Sequence, residues 1–327
     1  MKKIILVDGN NLMFRSYYAT AYSGSIMRNS KDFPTNALYG FVSMINKIID
    51  EEKPEYMAVA FDIGKNFRKD KYQDYKAGRH ETPQDLKLQM PVAREILDKM
   101  GIKHFELEPY EADDIIGTLA KMADNDPDFD ATIVSSDRDL LQLISDVVDV
   151  KLLKQKGHIR YNPQTFYEDY KIAPINIIDL KALAGDSSDN IPGVKGVGEK
   201  TALTLLQKYT TLENIYDHID EIKGKLQEKL INDKDNAFFS KEIATIYRDV
   251  PLNIKDLEDI TYEKNFNKEL YDLFVELEFY SFIKNSEKDK NTSSSVEFTK
   301  LDNLENLVLE DKISLYIECD DVNYHTA

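Results

Sequence analysis

The chain has 327 residues, 42% of them apolar, a formal net charge of -17 and a single cysteine. That apolar share supports a packed core and excludes overall disorder, and the length suggests about two domains. A lone cysteine excludes an internal disulfide, the apolar run at the start is too short for a signal peptide, and no stretch approaches the roughly 18–20 apolar residues of a membrane span, so a soluble cytoplasmic protein is expected.

Short apolar runs at 4–7, 56–61, 102–105, 131–134 and 147–153 predict buried strands. Between them, Leu38, Phe41, Val42, Ile45, Ile48 and Ile49 repeat at helical spacing. Pro83 and Pro91 bracket or start a second helix, and Ile115, Ile116, Leu119 and Met122 mark a third. The alternation predicts an α/β core over 1–170, a mostly parallel central sheet flanked by helices. The pattern then turns helical, with 177–183 and 201–209 as helices, which predicts a helical subdomain over 171–284. Residues 285–295 carry no apolar side chain and read as a linker. The strand-like pieces near 296–298 and 313–317 are too few for a core of their own, so 296–327 is expected to be the incomplete start of a second domain.

Acidic residues follow several of the predicted strands. Asp8 comes after Ile4-Ile5-Leu6-Val7, Asp62 after Val59-Ala60-Phe61, and Asp137 and Asp139 after Ile133-Val134. Parallel strands align their carboxyl ends along one edge, where open α/β folds place ligands. Carboxylates gathered there repel one another, and bound divalent cations such as Mg²⁺ or Mn²⁺ best explain such an oxygen-rich cluster. Each motif also has a structural alternative. Asp8-Gly9-Asn10 is common turn chemistry, Asp62 and one of Asp137 and Asp139 are candidate helix caps, and Glu111-Ala112-Asp113-Asp114 suits an acidic first helical turn. Three acids in four residues nevertheless exceed what capping needs.

The most specific string runs from Ala184 to Ala202. It joins Asp186 and Asp189 to closely spaced glycines, Gly193, Gly196 and Gly198, just ahead of a predicted helix. Such a hairpin exposes backbone N–H groups that hold phosphate without reading bases, with Lys195 and Lys200 adding charge. Its spacing is not that of a nucleotide-binding P-loop. Lys65, Arg68, Lys69, Lys71, Lys76 and Arg79 face only Asp70 and Asp74 as acids within their stretch, which predicts a phosphate-facing strip despite the acidic total. Tyr72 and Tyr75 among these cations suit base stacking, and a solvated helix face is the alternative. The histidines lack metal-site spacing, and Cys319 has no partner in the sequence.

Taken together, Val7-Asp8-Gly9, Phe61-Asp62, Phe67-Arg68, Tyr75-Lys76-Ala77-Gly78-Arg79, Glu111-Ala112-Asp113-Asp114, Ser136-Asp137-Arg138-Asp139, Gly185-Asp186-Ser187-Ser188-Asp189-Asn190-Ile191-Pro192-Gly193 and Gly196-Val197-Gly198-Glu199-Lys200-Thr201-Ala202 resemble the 5′-nuclease domain of bacterial DNA polymerases I, within the flap endonuclease family. The resemblance covers residues 1 to about 285. It implies a PIN-like nuclease core carrying a helix-hairpin-helix subdomain, and a structure-selective 5′-3′ exonuclease and flap endonuclease that uses two metal ions, Mg²⁺ or Mn²⁺. Asp8, Asp62, Glu111 and Asp113 would hold one ion. Asp137, Asp139, Asp186 and Asp189 would hold the other, with Asp113 shared and Asp114 in support. Lys76 and Arg79 would assist catalysis. DNA contacts are implied at Arg15, Arg68, Tyr72, Tyr75, Gly193, Lys195, Gly196, Gly198, Lys200 and Thr201, with K⁺ at the hairpin.

The implied partners are DNA with 5′ flaps, nicks or 5′ ends, RNA–DNA primers, and a polymerase domain in cis. The implied setting is a monomer in bacterial cytoplasm, associated with the nucleoid and not with a membrane. The tail matches a degenerate proofreading-exonuclease start, with Tyr316-Ile317-Glu318-Cys319-Asp320 where an intact Asp-x-Glu is expected. Two rivals remain. A PIN-type ribonuclease lacks the glycine hairpin, and a non-catalytic DNA-junction binding module would tolerate loss of the acids.

Overall fold

The computed structural model of the protein describes residues 1–21 and 26–284, so the expected linker (285–295), the expected second domain (296–327) and Cys319 lie outside the described residues. Six strands form one sheet in the order β3-β2-β1-β4-β5-β6. They are β1 Lys2–Asp8, β2 Tyr56–Ala60, β3 Lys103–Phe105, β4 Phe129–Ser135, β5 Val148–Leu153 and β6 His158–Tyr161. The first five run parallel, and β6 pairs antiparallel with β5.

Chain order runs outward from β1 to β3 on one side and resumes at β4 on the other. The reversal lies between β1 and β4, whose carboxyl ends therefore flank the crevice where such folds bind ligands. Asp8 ends β1, and Ser135 ends β4.

The helices predicted from spacing are present, with Pro91 inside the helix that Pro83 precedes rather than at its boundary. In chain order the helices are α1 Gly9–Ala21, α2 Asn36–Glu52, α3 Phe67–Lys71, α4 Gln84–Lys99, α5 Ala112–Asp124, α6 Pro163–Tyr170, α7 Ile177–Ala184, α8 Glu199–Tyr209, α9 Leu212–Asp217, α10 Lys225–Asn232, α11 Lys234–Ala244 and α12 Lys268–Glu276. Strand side chains alternate between the two faces of the sheet. Ile5, Val7, Met57, Val59 and Val134 pack with α1, α2, α4 and α12. Ile4, Leu6, Ala58, Ala60 and Ile133 pack with α5 and share one apolar cluster with Leu183, Leu206 and Ile215 of the helical half.

Two expectations need correction, and one strand was not expected. The Asp8-Gly9-Asn10 segment is not a tight turn, because α1 starts at Gly9 directly after the strand. Gly9 is instead required by close packing, since a Cβ there would lie 2.5 Å from the Phe61 ring. The helix for which Asp137 or Asp139 is the candidate cap is only a 3-10 turn over Asp139–Leu143. Strand β6 was not anticipated, because its exposed polar residues form no apolar run.

Candidate active site

Residues that stand far apart in the sequence meet at the switch point. The Asp8 carboxylate accepts from the Asn11 N–H at 2.9 Å, which caps α1, and from the Ser135 hydroxyl at 3.0 Å. Asp62 is fixed by the Ala112 N–H at 2.7 Å and the Asn10 side-chain amide at 2.9 Å. Asp137 accepts from the Asp139 N–H at 2.9 Å, so it caps the 3-10 turn while facing the cluster. Asp186 and Asp189 lie on a hairpin closed by paired backbone bonds between Asp186 and Ile191 of 2.9 and 2.8 Å. There Gly193 adopts φ +60°, and a Cβ on it would sit 2.2 Å from the Gly185 nitrogen. The tight approach thus demands glycine on both sides.

The carboxylates fall into two electrostatic groups. Among the described residues, Asp8, Asp62, Asp113 and Asp137 make no ion pair. Burial, with Asp62 and Asp137 adding repulsion, pushes the Asp8 carboxyl up to about 7. Burial and the Asp137 and Asp8 charges raise Asp113 well above the ordinary carboxylate range. Burial and Asp137 also push Asp139 up to about 7, against the pull of Lys181.

The remaining acids are held by cations. Glu111 pairs with Lys76 and with Arg68 at 3.1 Å, which outweigh its burial and lower its carboxyl. Asp189 takes Arg79 at 2.6 Å and stands 3.8 Å from Lys76. Lys181 bridges Asp139 and Asp186, and although burial alone would raise Asp186, the lysine holds it at about 2.

The sequence-derived site residues separate accordingly. All eight predicted metal-binding carboxylates lie around this crevice, and Lys76 and Arg79 point into it. As placed, no three acidic or histidine side chains among the described residues already converge on one ion position. The carboxylates paired with Lys76 and Lys181 are drawn towards those ammonium groups. Asn10 Oδ1 is buried without a hydrogen-bond partner beside Asp62, and the donor set is all oxygen. An unbalanced cluster of carboxylates with an orphaned acceptor fits hard divalent cations.

Arg68 is a correction. Instead of lying on a phosphate-facing strip it is buried, donating to both oxygens of Asp114 at 2.8 and 2.7 Å and to the Ile243 and Thr245 carbonyls. Tyr75 is likewise buried, and its hydroxyl donates to Glu111 at 2.9 Å and to Asp189 at 3.2 Å, so its ring is not free to stack on a base. Asp114 is fully buried, binds Arg68 and accepts from the Glu111 and Tyr247 N–H groups, which makes it a support rather than a group facing substrate. Lys71 and Arg79 are exposed but paired, with Glu242 and Asp189, so among the described residues the strip retains Lys65 and Lys69 as exposed cations with no ion pair.

Tyr72 packs edge-on against Phe239, and Arg15 donates to the Lys154 carbonyl. At the glycine hairpin Gly198 caps α8, and Lys195, Lys200 and Gly196 are exposed. The Lys195 N–H donates to Asp233 at 2.8 Å, and Lys229 donates to the Gly196 carbonyl at 2.8 Å. Thr201 lies partly buried in the first turn of α8. Lys181 was missed, although a single lysine interrupting the apolar stretch just ahead of Asp186 was the available signal.

Residues 3–171 match the model for the 5′-3′ exonuclease N-terminal resolvase-like domain, and residues 172–268 that for the 5′-3′ exonuclease C-terminal SAM fold. DNA polymerase I of Bacillus caldotenax is 44% identical over 335 residues, covering 100% of this chain and 37% of the relative. DNA polymerase I of Bacillus subtilis is 45% identical over 294 residues, covering 88% of this chain and 32% of the relative. The chain thus spans about a third of the length of these curated relatives. Among solved structures, T5 5′-exonuclease with bound zinc superposes with TM-score 0.60 at 24% identity, over 75% of this chain and 90% of that one. The catalytic core of Rad2 with DNA substrate gives TM-score 0.58 at 19% identity, over 84% of this chain and 88% of that one. These likenesses show a shared fold.

Proposed function

The chain belongs to the 5′-3′ exonuclease family, and from that premise we propose that it is a structure-selective nuclease hydrolysing phosphodiesters at 5′ ends, nicks and flaps of DNA, with two Mg²⁺ or Mn²⁺ ions. The observation that carries this reading is the set of carboxylates at the switch point that have no cation of their own. Asp8, Asp62, Glu111 and Asp113 would hold one ion, and Asp137, Asp139, Asp186 and Asp189 the other. Such ions supply Lewis-acid assistance to a water nucleophile and to the departing oxygen.

The protein's own groups do the rest. Lys76 and Arg79 stand beside Glu111 and Asp189, where they would bind the scissile phosphate and offset the charge that develops on it. Tyr75 and Arg68 fix Glu111 from behind, and Arg68 also anchors Asp114, so the acids at the start of α5 are held rigidly. The hairpin ahead of α8, through its exposed Gly196, Gly198, Lys195 and Lys200, would grip duplex backbone without reading sequence, with K⁺ as its ion, while Gly193 is buried and donates its N–H to Ser240 at 2.9 Å. The zinc in T5 5′-exonuclease and the DNA held by Rad2 support metal use and a DNA substrate here.

The relatives support a setting in which this segment, a core over 1–170 and a helical part over 171–284, works with a polymerase domain in cis, and the proposed substrates are DNA flaps and RNA–DNA primers. The bacterial origin of these relatives supports the bacterial cytoplasm, and the proposal extends to a monomer acting near the nucleoid. No helix among the described residues is long and apolar enough to cross a membrane. The test is cleavage of a 5′-labelled flap duplex with Mg²⁺, with EDTA, and by the Asp137→Asn variant. Cutting near the junction in the first case alone is expected. No cutting by a folded wild-type chain that binds the flap would favour a junction-binding module instead.

A further inference from the structure

On the Asp137, Asp139 and Asp186 side, the carboxylate crevice opens into a cleft of roughly 650 Å³ between the Asp137-Arg138-Asp139 turn and the helices α7 and α8. Its size is that of a ligand-holding cleft, about 300–1,000 Å³. Ile177, Leu180 and Ala184 of α7 line it together with the polar Asn11 and Ser136 and the acids Asp137, Asp139 and Asp186. Two cations line it, Arg138 and Lys181, and Lys181 is committed to Asp139 and Asp186.

Arg138 is different. It stands between two candidate metal-binding acids, yet its side chain leaves them, reaching Glu199 at 2.8 Å and the Tyr170 hydroxyl at 3.1 Å. Glu199 is the first residue of α8, directly after the glycine hairpin. The side chains of Arg138 and Glu199 are 48% and 50% exposed, so their pairing is weak and its partners can be exchanged.

We propose that Arg138 is a phosphate clamp for the substrate strand that runs from the cleavage site towards the hairpin, and that Glu199 is the stand-in partner it gives up when DNA arrives. The inference rests on the nuclease reading above. The guanidinium fork suits a phosphate better than a point charge does, and releasing counterions from DNA favours the exchange of an exposed carboxylate for a backbone phosphate. The Arg138 guanidinium also lies 5.8 Å from the centre of the Tyr170 ring, within reach of a weak cation–π attraction. Glu199 then acts against any polyanion that does not fill the cleft, because only a strand lying across it can replace the carboxylate. The clamp makes engagement of duplex at the hairpin a condition for correct seating at Asp137 and Asp139. Arg138 is thus a positioning residue and not a catalytic one.

The test is equilibrium binding of a fluorescent 5′-flap duplex to the full chain in Ca²⁺, across a series of salt concentrations, for wild type and for Arg138→Ala, Arg138→Lys and Glu199→Gln. The Arg138→Ala variant is expected to bind several-fold more weakly, with the slope of log affinity against log salt reduced by about one phosphate contact, roughly 0.9. Arg138→Lys should keep the slope while losing part of the affinity, and Glu199→Gln should bind at least as tightly as wild type. An Arg138→Ala variant with the wild-type affinity and slope would overturn the clamp and leave Arg138–Glu199 as a surface pair. Failure of the wild-type chain to bind the flap at all would overturn both the clamp and the nuclease reading, which separates the two outcomes.

Discussion

The molecule buries two clusters of charge, and they are built to opposite rules. On the α2 face of the sheet, Glu52 receives Lys3 at 2.6 Å, Lys151 at 2.8 Å and Arg160 at 3.2 Å, and Lys151 also takes Glu51 at 2.7 Å. Burial alone would raise the Glu52 carboxyl, but the hydrogen bonds from Lys151 and Lys3 hold it at about 2. At the switch point, Asp8 is as deeply buried and is pushed the other way, to about 7, by burial and by its acidic neighbours. A buried charge that has its partners serves the fold. One kept among like charges costs stability, and that cost is explained when a cation is to be bound there.

The contrast is broken most severely by substitution at the unbalanced cluster. Asp113→Asn is expected to lower cleavage by on the order of 100–1,000-fold or more, measured as single-turnover rate on a flap duplex. The metal-free variant should be as stable as wild type or more so, because one repelling charge is gone. A variant that loses activity only in proportion to lost folding would erase the distinction between the clusters. The balanced cluster should respond in reverse. Lys151→Ala leaves Glu52 and Glu51 short of a partner and is expected to destabilise the fold by about 3 kcal/mol, read from denaturant midpoints, while the cleavage rate per folded molecule is unchanged.

The smallest expected effect is on acid sensitivity. Glu52 has a folded-state value depressed from 4.5 to about 2, so its contribution is fully present above about 4.5 and is lost as pH falls towards about 2. Glu52→Gln should therefore lower stability at neutral pH and flatten its fall across that acid window. An acid limb as steep as that of wild type would assign the acid sensitivity to other carboxylates.

The same contrast explains what the sequence made legible. Four of the five parallel strands were readable because each contains a run of apolar residues, β3 only because Ile102 and Phe105 bracket its polar residues, and the acids that follow β1, β2 and β4 were readable as one edge of a sheet. The edge strand β6 carries His158, Ile159 and Arg160 exposed, so no apolar signal marked it. Which cations stay free was not readable either. Arg68 finds Asp114 46 positions away, and Tyr75 finds Asp189 114 positions away, so local spacing showed a basic and aromatic strip while the fold commits part of it to holding the acids. Gly9 read as a turn residue, whereas the fold needs glycine there because of the Phe61 ring, a contact 52 positions away that no local spacing signals.

The most direct test of the central claim is titration of the metal-free chain with Mn²⁺, followed by the loss of free-ion signal in electron paramagnetic resonance, for wild type and Asp113→Asn. The account predicts saturable binding of two ions by wild type and fewer or weaker ions in the variant, with circular dichroism unchanged. No saturable Mn²⁺ binding by the folded wild-type chain, or equal binding by both proteins, would contradict it.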